Sequence, residues 1–308
     1  MSPAPMRVPA HTARELRGSA SAPASLLAAL AVQALIEEAQ LTPKPALVDR
    51  RGSGAHRDLD LARMLRSAHA LEPTFAALAR ATRGQRPSAA LRSELAALGR
   101  AGEIAMMAAT NGSNAHRGAI WIIGLLVAGA TIAHDTERAW QPRSICAYGA
   151  RIACFPDYAA PLLPADSNGA RVRQRYGVGG ARREAQDGFP HVIEHGLPAL
   201  EAARRRGHGE NAARIDALLA IMVSLDDTCL LHRAGPPALE AAQRGAREVL
   251  ACGGSASLAG RAALYRLDRC LVAMNASPGG AADLLAATLF IDKLVRYGTG
   301  RSPDEWSI

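Results

Sequence analysis

Two adjacent acids, Asp226 and Asp227, carry the sharpest chemical signal in the chain. Upstream, Ile215, Leu218, Leu219, Met222 and Val223 repeat with the spacing of one buried helical face. A helix running from Glu210 to Asp227 would extend that apolar face with both carboxylates, at the end where its dipole disfavours negative charge. Neighbouring acids in such a place are costly unless a cation or strong donors compensate them. A bound Mg²⁺, a hard ion that takes oxygen ligands, would do so. The plainer alternative is a helix that ends early and leaves both acids in solvent or paired with Arg233.

A second concentration of polar groups occupies the stretch from Leu41 to Asp60. Pro43 and Pro45 flank Lys44, one of only two lysines, and Asp49, Arg50, His56, Asp58 and Asp60 follow. Prolines so placed end the preceding helix and stiffen the turn. The loop thus mixes phosphate donors with metal ligands, although a polar helix-to-helix connection with a capping aspartate would look similar. Glu38 and Glu103 each fall among the apolar positions of their helices and are balanced between site residues and surface ion pairs. Gly279 and Gly280 open the last helix with free backbone N–H groups suited to phosphate. Asp283, just after them, reads as an acid favoured in any first turn. His56, His116 and His232 each precede an arginine, whereas His69, His134, His195 and His208 read as surface residues. Zinc-ligand spacing and Gly-x-Ser-x-Gly are absent, and neither lysine follows a glycine, which excludes a P-loop.

The elements that must position these groups are helical. Hydrophobic residues make up 49% of the 308, aromatics only 4%, and alanine and leucine dominate, so strand formers are scarce. The expectation is an all-α protein: a single globular multi-helix domain with Gly-rich polar loops at helix ends, spanning 23–308 behind a loose tail at 1–22. Helices are expected from Pro23 to Gln40, Asp58 to Leu71, Glu72 to Ala81, Ser88 to Ala109, 143 to 154, Glu210 to Asp227, Pro236 onward, Ser257 to Asn275 and Ala281 onward. Ala119 to Ala133 is the most apolar stretch; it falls short of the ~20 residues that span a bilayer and reads as the central buried helix. The net charge of +8 rests on thirty-four arginines and suits an anionic partner. Basic residues form no tail and aromatics for base stacking are few, so neither nucleic acid nor membrane is expected as a partner. Five cysteines without a CxxC pair read as reduced thiols of a cytoplasmic protein.

Taken together, the loops resemble one family, the triphosphoribosyl-dephospho-CoA synthases. The pieces that carry the likeness are Thr42-Pro-Lys-Pro-Ala-Leu-Val-Asp49, Gly54-Ala-His-Arg-Asp58-Leu-Asp60 and Asn114-Ala-His-Arg-Gly-Ala-Ile120. Gly180-Ala-Arg-Arg-Glu-Ala185, Asp227-Thr-Cys-Leu-Leu-His-Arg233 and Ser277-Pro-Gly-Gly-Ala-Ala-Asp-Leu-Leu-Ala286 follow in family order. Ala46, Asn111 and Arg183 depart from the family pattern at positions where glycine is usual.

The resemblance implies an all-helical transferase that moves the triphosphoribosyl group of ATP to the 2′-hydroxyl of 3′-dephospho-CoA, with adenine leaving. The product is the precursor of an acyl carrier protein's prosthetic group, in malonate decarboxylase or citrate lyase. The Asp-Thr-Cys-Leu-Leu-His-Arg form and the standalone chain look more like the malonate decarboxylase branch. On that reading Asp226 and Asp227, with Glu38 or Asp49, hold Mg²⁺. Lys44, Arg50, Arg117 and Arg233 bind phosphate together with Gly279 and Gly280. Glu184 or Asp58 is the general base, and His56 or His116 sits near the leaving adenine. A homodimer is compatible with the sequence. The competing classes are a Mg²⁺-dependent helical hydrolase of a ribosyl or phosphate ester, and a basic polyanion-binding protein without catalysis.

Overall fold

The structure, a computed structural model, describes residues 23–160 and 167–300. Among these residues there are helices and turns but no strand, only an isolated bridge between Asp49 and Gly52. The expected tail at 1–22 lies outside the described residues. In chain order the α-helices are α1 (Ala24–Gln40), α2 (Leu61–Ala70), α3 (Glu72–Thr82), α4 (Ala89–Ala109), α5 (Arg117–Glu137), α6 (Pro142–Cys154) and α7 (Asn168–Tyr176). They continue with α8 (Gly180–Gln186), a π-helical turn (His191–Gly196), α9 (Leu197–Arg205), α10 (Glu210–Met222), α11 (Thr228–Ala251), α12 (Leu258–Ala273) and α13 (Gly279–Thr299).

Three helices, α1, α5 and α13, are buried almost all round and form the centre. Their alanine- and leucine-rich sequences explain this, since a helix apolar on every side is stable only when surrounded by others. α5 runs over 21 residues, longer than the apolar stretch alone suggests. It is long and apolar enough to cross a membrane, but 83% of its most apolar window is buried within the fold. Small residues let its neighbours close in: a Cβ on Gly129 would overlap the Ile145 carbonyl oxygen of α6. One apolar core extends from α1 to α13, with a small satellite of Ala39, Val48, Leu59 and Met64 beneath the 41–60 loop.

The largest departure from the sequence reading concerns Asp226 and Asp227. α10 ends at Met222, not at Asp227, and the two acids occupy the turn before α11. Asp226 is exposed and Asp227 is buried. Asp227 is the N-cap of α11, where its Oδ1 accepts from the backbone N–H groups of Cys229 at 2.8 Å and Leu230 at 3.4 Å. Its Oδ2 accepts from Ala281 N at 2.9 Å, in the first turn of α13, and Gly280 N–H adds to the same carboxylate. One side chain therefore ties the starts of two helices together. Burial raises the Asp227 pKa, and the four backbone donors oppose that rise.

Replacing Asp227 by asparagine would turn an N–H donor of the new amide towards a backbone donor, leaving a buried group unpaired. The expected loss is about 1–3 kcal/mol of stability, read as a lowered thermal midpoint of the folded chain. An unchanged midpoint would show that Asp227 does not join the two helices.

Candidate active site

The helix starts that Asp227 joins open onto a cavity of about 390 Å³. Its wall includes Asn114–Gly118 before and within α5, Ser167–Gly169 at α7, Asp227–Cys229 at α11, and Ser277 with Gly279 and Gly280 at α13. Four helix N-termini thus converge on one space, each bringing partial positive charge and backbone donors. Glu38 enters from the last turn of α1, Lys44, His56 and Asp58 from the 41–60 loop, and Glu184 from α8. An anion with several charged oxygens matches this electrostatic environment.

Twelve of the fourteen residues expected at a site line this cavity: Glu38, Lys44, His56, Asp58, His116, Arg117, Glu184, Asp226, Asp227, Arg233, Gly279 and Gly280. Asp49 and Arg50 are not among the lining residues. Asp49 is buried inside its own loop, accepting from Lys44 N at 2.9 Å and Arg51 N at 2.7 Å and pairing with the Arg51 guanidinium. Arg51 and the Ala46 N–H both reach Asp268 of α12, which anchors the loop from outside. Arg50 turns away to Gln40. The expected metal ligand Asp49 therefore braces the loop, and the expected phosphate ligand Arg50 lies outside the cavity.

Several lining residues are also partly committed. Lys44 is almost wholly buried and its Nζ donates to Glu38 Oε1. Arg233 clamps the loop, donating to Ala55 O at 2.5 Å and to Asn275 O at 2.9 Å. Its Nη1 lies 3.3 Å from His56 Nδ1. Because a guanidinium only donates, Nδ1 accepts, and the proton on Nε2 points to Ser277 Oγ at 2.9 Å. Burial, followed by the Arg233 charge, lowers the His56 pKa to about 4. Gly280 and Ala281 N–H are used by Asp227, so the start of α13 is less open to phosphate than its glycines suggest.

His116 is different. Its Nδ1 is held by Ser67 Oγ at 2.6 Å, while its buried Nε2 has no hydrogen-bond partner. Burial and then the Lys44 charge lower its pKa to about 3, so the ring is neutral at pH 7. Glu184 is buried and fully oriented: Oε1 accepts from His191 N at 2.9 Å and Oε2 pairs with His191 Nδ1 at 2.7 Å. Burial alone would lower the His191 pKa; the bond and charge of Glu184 outweigh it and leave it raised. Asp58, by contrast, is 62% exposed.

Asp283 lines the cavity and is the residue that the sequence reading set aside. Burial, then the charges of Glu38 and Asp227, push its carboxyl well above the usual range, opposed by a hydrogen bond from Ala119 N–H at the start of α5. Gly118 permits this approach, since a Cβ there would overlap Asp283 Oδ2. α13 begins at Gly279, so Asp283 lies beyond its first turn, and no sequence spacing relates it to Gly118. Asn168 and Arg173 of α7 and the partner His191 were also missed. The Arg171–Arg175 cluster was the only signal for α7. Cys229 lines the cavity as well, with burial and then Asp227 and Asp283 keeping its thiol protonated. No group of three or more acids, histidines or cysteines among the described residues is disposed to hold a metal by itself.

Comparison with known proteins gives a single answer. The model of the ATP:dephospho-CoA triphosphoribosyl transferase family matches residues 24–302. A probable 2-(5″-triphosphoribosyl)-3′-dephosphocoenzyme-A synthase of Pseudomonas paraeruginosa is 60% identical over 269 residues, covering 87% of this chain and 90% of its own. The 2-(5″-triphosphoribosyl)-3′-dephosphocoenzyme-A synthase of Klebsiella pneumoniae is 54% identical over 270 residues, covering 88% and 95%. No solved structure matches the chain. With nearly the whole folded chain inside the family match, and relatives this similar along almost their full lengths, the chain belongs to the ATP:dephospho-CoA triphosphoribosyl transferase family and is an enzyme of the transferase class.

Proposed function

We propose that the enzyme transfers the triphosphoribosyl group of ATP to the 2′-hydroxyl of 3′-dephospho-CoA and releases adenine. The observation that carries this reading is the convergence of four helix N-termini, Lys44 and Arg117 on one cavity that also holds buried carboxylates and a neutral histidine. Triphosphate requires the first group of features; glycosyl transfer requires the second.

In the transfer, the bond from C1′ to adenine N9 breaks and one from C1′ to the acceptor oxygen forms. Positive charge builds at C1′ between these events, and the cavity carboxylates are suited to stabilise it. Glu184 takes the hydroxyl proton; its two oxygens are fixed by His191, whereas Asp58 is exposed and has no such support. With Ser67 donating to Nδ1, the neutral His116 ring carries its proton on Nε2, the nitrogen left without a protein partner. It gives that proton to the departing adenine, and the proton taken by Glu184 completes the balance. His56 is less suited, because both of its nitrogens are engaged by Arg233 and Ser277.

The donor set also fits Mg²⁺. Carboxylates supply hard oxygen ligands, and Mg²⁺ commonly takes one or two of them together with substrate phosphates. Asp226, exposed at the cavity, is the best placed to hold it, since Lys44 occupies Glu38 and backbone donors reach both Asp227 and Asp283. When bound, the ion would neutralise triphosphate charge. The product then serves as the precursor of a carrier-protein prosthetic group, and we assign it to malonate decarboxylase on the Asp227-Thr-Cys-Leu-Leu-His-Arg233 form.

Purified enzyme incubated with ATP, Mg²⁺ and dephospho-CoA is expected to release adenine only when the acceptor is present, with a matching triphosphoribosyl adduct by mass spectrometry. Glu184→Gln should lower kcat by roughly 10²–10⁴-fold, the usual contribution of a general base, while Asp58→Asn leaves it in the same range as the parent enzyme. Adenine released without acceptor would point to a hydrolase. A fully active Glu184→Gln enzyme would remove Glu184 from the base role.

A further inference from the structure

A second cavity, of about 220 Å³, shares α5 with the first. Arg117, Gly118 and Ile122 face the central cavity, while Ile120, Trp121 and Leu125 face the second. Its remaining wall combines apolar side chains of α3 and α4 with Arg92, Arg100, Glu103 and Asp157. Both acids are already engaged: Asp157 with Arg100 at 2.8 Å and Glu103 with Arg117 at 3.1 Å.

Arg92 is not engaged in this way. Its guanidinium carbon lies 4.7 Å from the centroid of the Trp121 ring, and its Nε is buried with no hydrogen-bond partner. Burial lowers its pKa, and the Arg182 and Arg100 charges reinforce this against Asp157. A planar guanidinium over an aromatic face, with an unused donor and cationic neighbours, has the chemistry that suits a phosphate.

The two cavities are neighbours across one ion pair: Arg117 in the wall of the first holds Glu103 in the wall of the second. Trp121 Nε1 donates to the carbonyl of Ala181 at 3.1 Å, and Ala181 lines the central cavity. Arg182 comes next in the chain and acts on Arg92; Arg117 reaches Glu103 from the other side. In the proposed reaction the donor ribose and acceptor hydroxyl must meet in the central cavity, where helix N-termini favour the donor's triphosphate. The acceptor's 5′-diphosphate and the uncharged arm beyond it must then leave that space. An adjacent cavity with apolar walls and the cationic Arg92 and Arg100 suits both parts.

We propose that the second cavity holds the diphosphate and adjoining arm of the acceptor, 3′-dephospho-CoA, with Arg92 on Trp121 as the anchoring group. This assignment rests on the proposed reaction, since it takes the acceptor to be a nucleoside diphosphate ester that meets ATP in the central cavity.

Calorimetric titration of each substrate separately, without turnover, tests it. Arg92→Met should weaken dephospho-CoA binding by about tenfold or more, the effect of losing a charged hydrogen bond, and leave ATP binding unchanged. Arg92→Lys, which keeps the charge but not the planar fork, should fall between the two and serves if the methionine variant does not fold. Unchanged dephospho-CoA affinity in the folded variants would overturn the proposal, as would a loss of ATP affinity instead. Wild-type enzyme that binds dephospho-CoA through Arg92 yet transfers nothing would refute the reaction and leave the binding site standing. Failure of wild-type enzyme to bind dephospho-CoA would refute both.

Discussion

Asp227 sits where two helices begin, and its carboxylate accepts backbone N–H groups from both. Asp283 repeats the device from α13, accepting from the start of α5. Each acid is buried at a cost that backbone donors oppose only in part. The consequence is geometrical. The starts of these helices are thereby drawn towards the same space. Buried acids thus shape the cavity's wall, their charge met by backbone hydrogen bonds.

Much of the charge around this cavity builds the wall and leaves a smaller set for ligands. Lys44 with Glu38, Arg51 with Asp49 and Asp268, and Arg233 with Ala55 and Asn275 hold the 41–60 loop against α1, α11 and α12. Arginine suits this work because one guanidinium can reach several carbonyls in a fixed plane. What remains for a substrate is Asp226, the unpaired nitrogen of His116, and Arg117 and Arg173 in the cavity wall. Glu184 belongs to both sets, lining the cavity while His191 fixes its orientation.

The helices were readable where capping and periodicity agreed. Ser88 caps α4 and Asp60 caps α2, each accepting from the backbone three residues on. Two departures from the family pattern also acquire a physical meaning, since Ala46 has φ 56° and Asn111 has φ 56°, in the left-handed region where glycine is favoured. Asp226 and Asp227 were misplaced because the apolar stripe of α10 continues in sequence beyond the point where the backbone turns. Capping by Asp227 also started α11 at Thr228, before the Pro236-Pro237 pair, with a kink at Gly235. The loop residues failed for another reason. Composition marks 41–60 as polar, but whether Asp49 faces ligand or loop depends on Arg51 and on Asp268, more than two hundred residues away. The short helix α7 had no periodic signal strong enough to find it, and the π-helical character of the turn after Pro190 leaves no mark in the spacing.

The claim on which the account turns is that the converging helix starts receive the triphosphate. A crystal structure of the enzyme soaked with inorganic triphosphate and Mg²⁺ tests it without any chemistry taking place. Triphosphate oxygens are expected beside the backbone N–H groups at the starts of α5 and α7, within reach of Arg117. Triphosphate bound on Arg92 and Trp121 instead, with the central cavity holding only solvent, would contradict it.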